Sequence, residues 1–126
     1  YEAGQVFASY NADGMIFSTP TGSTAYSLSA GGPIVDPLLR AIVATPVCAH
    51  SLTARPTVFS ADARLGLRIA SQKKGEAYLT FDGDQNCLLR VGDRIEISVS
   101  PLTTRLIRFS HTPFGTVLSA KLHNNN

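Results

Sequence analysis

Apolar and polar residues alternate along much of the C-terminal half of this chain. Arg64-Leu65-Gly66-Leu67-Arg68-Ile69 and Arg94-Ile95-Glu96-Ile97-Ser98-Val99 are the cleanest cases. A period of two sends successive side chains to opposite faces of a strand, so each segment predicts one covered face and one wet face. Strands are predicted over residues 65–70, 77–81, 88–91, 95–99 and 106–109. Turn residues Gly75, Gly83 and Gly92-Asp93 separate several of these runs at fairly regular spacing, the pattern of an antiparallel sandwich or barrel. Upstream, residues 5–10 alternate weakly, Asn11-Ala12-Asp13-Gly14 supplies a turn, and residues 15–18 form a short apolar run. Residues 41–47 and 57–60 are two more β-like stretches around the link from His50 to Pro56. The best helix candidate is residues 23–30. It is rich in small residues, has hydroxyls for capping at its start, and meets Gly31-Gly32-Pro33 at its end. The predicted fold is mainly β, antiparallel and sandwich-like, with one short helix.

Composition narrows the function classes. The 126 residues suffice for one domain, and 44% hydrophobic residues can build a core. Charged residues make up 16% and the net charge is +2, which gives no electrostatic basis for a nucleic-acid or membrane partner. Lys73-Lys74 is the only adjacent basic pair and reads as part of a solvated loop. Cys48 and Cys87 lack zinc-type spacing and are expected to be buried free thiols, as suits a reducing cytoplasm. His50, His111 and His123 form no ligand motif, so no metal site is expected. No run approaches the ~18 apolar residues that span a bilayer. The opening residues lack the regions of a signal peptide and an initiator Met, and they run directly into a predicted strand, which suggests a longer parent chain. The polar residues 124–126 are expected to fray.

The chemistry concentrates in residues 13–33. A strand leads into a Gly-containing loop and then a short helix that begins with hydroxyl residues. Unpaired N–H groups at a helix start suit a phosphate or a polar ligand edge. Gly22 allows close approach to the backbone. Ser23, Thr24, Ser27 and Ser29 supply short donors and acceptors, and Tyr26 an aromatic face with a polar tip. On these grounds alone, a ligand site and a capped helix whose serines satisfy their own backbone fit equally. No P-loop pattern and no G-x-G-x-x-G fingerprint is present.

The run Thr19-Pro20-Thr21-Gly22-Ser23-Thr24-Ala25-Tyr26, continued by Ser27-Leu28-Ser29-Ala30-Gly31-Gly32-Pro33, closely resembles the signature of NAD kinases. Asp13-Gly14 before it and His50-Ser51-Leu52-Thr53-Ala54-Arg55-Pro56 after it match that family in place and order. Phe81-Asp82-Gly83-Asp84 resembles the later FDGQ element, with Asp84 where Gln is common. The resemblance implies the C-terminal, NAD-binding domain of an enzyme that phosphorylates the adenosine-ribose 2′-hydroxyl of NAD to give NADP. It implies that Thr24, Ala25, Tyr26 and Ser29 line the dinucleotide site and that Asp13 reaches the ligand across a subunit interface. A homodimer or homotetramer follows from that. ATP or polyphosphate with Mg²⁺ is the implied donor, and the cytoplasm the implied location.

The family's GGDGT motif, whose Asp is the proposed base, is absent from these 126 residues, as is its upstream Asn-Glu pair. No catalytic residue is therefore assigned, and this chain alone is expected to be inactive. Asp82 and Asp84 could be read as paired catalytic carboxylates, but Asp-Gly between strands is a strong turn signal and the turn is preferred. His50 and Arg55 are expected to pack a loop. A second function class, a dinucleotide-binding regulatory module without chemistry, is separated from the first by whether the parent reading frame carries GGDGT. A lipid-kinase relative shares the two-domain plan but fits the signature far less well.

Overall fold

The computed structural model describes residues 1–51, 53–71, 75–107, 109 and 112–123. The Lys73-Lys74 loop, His111 and residues 124–126 lie outside these. Strands outweigh helices among the described residues, and every strand pairing among them is antiparallel.

Strand β2, Ala41–Val47, forms the centre of a three-stranded sheet between β1, Gly14–Ser18, and β3, Thr57–Ser60. Ala41 through Pro46 are buried at every position, in-facing and out-facing alike, which is why this strand reads as a continuous apolar run rather than an alternating one. Pro46 lies opposite Met15 and beyond the β3 pairing, which ends at Ala44↔Thr57. There β2 has a neighbour on one side only, so the missing proline N–H is tolerated. The apolar core is Val35, Ala41, Ile42, Val43, Ala44 and Leu65, and Ser23, Ser27 and Thr45 are buried with it.

The second half builds two ladders. Strand β4, Leu65–Arg68, pairs with β7, Arg94–Ile97, and encloses in sequence the hairpin of β5, Ala77–Phe81, and β6, Asp84–Leu89. Leu65↔Ile97 and Leu67↔Ile95 share one face and Arg68↔Arg94 the other, as the alternation requires. Asp82 and Gly83 take φ of 48° and 82°, so the Asp-Gly pair is the hairpin turn. Just before β5, the Glu76 carboxylate accepts a hydrogen bond from the Tyr78 hydroxyl and holds that phenol above its ordinary pKa.

Four expectations need correction. Residues 5–10 form no strand. Instead Glu2 bridges to Leu65, and the Tyr1 and Gly66 backbones exchange hydrogen bonds at 2.9 Å, extending the ladder at β4. Residues 106, 107 and 109 form no strand either, and Leu106, Ile107 and Phe109 are 74%, 83% and 99% exposed (Arg108 lies outside the described residues). A second helix, α2, Phe114–His123, follows Pro113, whose carbonyl accepts from Thr116 and Val117. Both cysteines are exposed. Cys48 lies just past the buried run of β2 with φ 47°, and Cys87 lies on the two-stranded hairpin, where no third strand pairs with it.

Candidate functional site: a hydroxyl-anchored turn and helix

Residues 23–30 do not form one continuous helix. Thr21–Thr24 is a 3₁₀ turn and Tyr26–Ser29 a single α turn, α1. Ala25 breaks the two apart at φ −96°, ψ −132°. Neither N-cap residue, Pro20 or Ala25, gives a side-chain cap, though Thr19 Oγ1 accepts from the Gly22 N–H at 3.1 Å. The end is stopped as the glycines predict. Gly31, at φ 85°, donates to the Leu28 carbonyl at 2.9 Å, and Gly32 donates to the Ser27 carbonyl at 2.8 Å, which together make a Schellman cap.

The hydroxyls divide by face. Ser23 and Ser27, four residues apart, are 0% and 1% exposed. Ser23 Oγ donates to the Pro20 carbonyl at 2.6 Å and accepts from the Val35 N–H at 3.1 Å. Ser27 Oγ pairs with Thr45 Oγ1 of β2 at 2.9 Å, and Thr45 is itself fully buried. A polar group can be buried at little cost only when bonded in this way. Gly32 packs against the same pair. A Cβ there would come within 2.7 Å of both the Ser27 carbonyl and Thr45 Oγ1.

The expected site residues are on the outside. Thr24, Ala25, Tyr26 and Ser29 are all exposed, Tyr26 at 65%. Thr24 Oγ1 makes a long 3.3 Å bond to the Thr21 carbonyl. Tyr26 and Ser29 stand three apart on α1 and therefore share a face. Asp13 stands apart from them, just before β1, with its N–H on the Val47 carbonyl at 2.9 Å and its side chain in solvent.

A concavity of about 510 Å³ opens where the end of α1 meets the loop after β2. Ala30 and Gly31 form one wall, and Cys48, His50, Ser51 and Arg55 the other. His50 is held by its backbone N–H on the Asn11 carbonyl at 2.8 Å, and both His50 and Arg55 are exposed rather than packed into the loop. Thr24, Ala25, Tyr26, Ser29 and Asp13 do not line this concavity. The supporting roles of Ser23, Ser27, Thr45 and Gly32 were not legible from residue type, because serines two positions from exposed ones look the same in sequence.

Residues 1–109 match the family model described as the ATP-NAD kinase C-terminal domain. The chain belongs to that family. It is 49% identical over 119 residues to an NAD kinase of Acidobacterium capsulatum, covering 94% of this chain and 41% of that protein. The yeast NADH kinase complexed with NADH superposes with a TM-score of 0.70 at 43% identity, over 76% of this chain and 27% of that one. An NAD kinase from Archaeoglobus fulgidus in complex with ATP gives 0.63 at 30% identity, over 73% and 34%. The chain thus spans well under half the length of these relatives.

Gly32→Ala tests the packing under α1. Two of the atoms its Cβ would meet lie in a buried pair and a carbonyl with nowhere to move. The full-length protein is expected to lose about 1–3 kcal/mol of stability. Urea denaturation measures it, and an unchanged midpoint would show that the contact has slack.

Proposed function

We propose that residues 1–126 are the dinucleotide-binding domain of an NAD kinase, an enzyme that transfers a terminal phosphoryl group from ATP or polyphosphate to the adenosine-ribose 2′-hydroxyl of NAD. The observation that carries this reading is the exposure of Thr24, Ala25, Tyr26 and Ser29, presented on two turns whose inward hydroxyls, Ser23 and Ser27, are both hydrogen-bonded. Outward polar groups that the fold does not use are available to a ligand. The yeast relative's complex with NADH and the Archaeoglobus relative's complex with ATP support both nucleotides as partners.

The roles follow from side-chain chemistry. Thr24 and Ser29 pair with adenine or ribose edges, and Tyr26 stacks or donates. Ala25 keeps the backbone approachable between them. The concavity beside Gly31, with Arg55 and His50 on its wall, gives a ligand lying on this face room to extend. Asp13, a free carboxylate away from that face, accepts from the dinucleotide held by a neighbouring subunit. Phosphoryl transfer depends mainly on positioning and on stabilising charge at the donor phosphates. This chain's share is to position the acceptor.

Among the described residues no group of three His, Cys, Asp or Glu stands together to hold a metal ion. No described helix is long and apolar enough to cross a membrane. The cytoplasm is the proposed location.

In the full-length protein, Tyr26→Ala is expected to weaken NAD binding by roughly 1–3 kcal/mol, the scale of a lost aromatic contact and its hydroxyl. Calorimetry measures this, and unchanged affinity would remove Tyr26 from the site. The Asp13 role requires self-association in a closed, symmetric arrangement. Sedimentation of the full-length protein is expected to give a dimer or tetramer, and a monomer at high concentration would exclude that role.

A further inference from the structure

We infer that Ser27 and Thr45 are positioning residues for the acceptor: their buried hydroxyl pair fixes the rotation of α1 and so the presentation of Tyr26 and Ser29. This rests on the proposed function and adds to it the device that orients the site.

The helix is too short to hold itself. Tyr26–Ser29 is one turn, and nucleating a single turn is unfavourable. Its start has no side-chain cap, and Ala25 interrupts the chain just before it. Short helices usually gain their stability by laying an apolar stripe on the core. This one has no such stripe. Of its four residues only Ser27 is buried, and Leu28 is half-buried. The anchor is therefore a hydrogen bond, Ser27 Oγ to Thr45 Oγ1 at 2.9 Å, set into the buried run of β2.

A hydrogen bond differs from an apolar contact in being directional. An apolar side chain would tolerate rotation of the turn about its axis, whereas a bonded hydroxyl does not. One residue of slippage turns a helix face by about 100°. Such a slip would carry Tyr26 and Ser29 away from their present direction. Ser23 holds the preceding 3₁₀ turn in the same manner, bridging the Pro20 carbonyl and the Val35 N–H, and Gly32 donates to the Ser27 carbonyl from the other side. Thr24, Ala25, Tyr26 and Ser29 thus lie between two fixed hydroxyls and a fixed cap.

The test uses the full-length enzyme. Thr45→Val keeps the shape and removes the hydroxyl, while Thr45→Ser keeps the hydroxyl and removes the methyl. Thr45→Val is expected to raise KM for NAD about tenfold, the scale of one lost buried hydrogen bond, with KM for ATP unchanged. Thr45→Ser should stay within about twofold of wild type, on the same reasoning. Ser27→Ala should raise the same KM, and the Ser27→Ala/Thr45→Val double variant should be no worse than the more affected single one, because both remove one shared bond. A merely structural role predicts a different pattern: kcat falls with the fraction of active enzyme and KM for NAD does not move. That pattern, or additive effects in the double variant, overturns the inference. If Thr45→Val fails to fold, Ser27→Ala alone decides, and an unchanged KM for NAD overturns it. A wild-type protein that neither binds nor phosphorylates NAD would instead refute the functional reading itself.

Discussion

The hydrogen bond between Ser27 and Thr45 is the constraint on which the site depends. It joins the short helix to the buried run of β2 and is itself shielded from water. Burying two hydroxyls is unfavourable unless they pair, and paired they specify one arrangement, because leaving either unmatched costs about 1–3 kcal/mol. Gly32 is required by the same feature, since any side chain there would occupy the space of the pair. The burial of Ala41 through Pro46 serves it too, since water reaching Thr45 would compete for its hydroxyl and weaken the specification.

The outward face can then be chemically free. Among Thr24, Ala25, Tyr26 and Ser29, only Thr24 is drawn into a local side-chain bond, and that one is long at 3.3 Å. The segment thus separates two duties by orientation. Hydroxyls at positions 23 and 27 hold the fold, and those at 24 and 29 face outward. Ser23 and Ser27 belong to two different turns, both buried, and Thr24, Ala25 and Tyr26 around the break at Ala25 are exposed.

Much of this was legible in sequence, for identifiable reasons. The alternation of residues 64–69 and 94–99 gave β4 and β7 because each has one covered and one wet face. The Asp-Gly turn and the glycine stop after the helix were readable because few other residues adopt those backbone angles. Three features were not readable. The alternation at residues 5–10 does not say whether a partner strand exists, and residues 106–109 carry the same ambiguity. Helix α2 was hidden by Pro113, Gly115 and the β-branched Thr116 and Val117, although Phe114, Leu118 and Leu122 recur at four-residue spacing. The division of the serines by face depends on where Thr45 lies, eighteen residues along the chain, and a local pattern does not carry that information.

The most direct measurement is a crystal structure of the full-length protein with NAD bound. The account predicts the dinucleotide against Thr24, Ala25, Tyr26 and Ser29, with the Ser27 Oγ to Thr45 Oγ1 bond intact beneath it. NAD seated elsewhere with that face bare, or a bound state in which Ser27 and Thr45 separate, would contradict it.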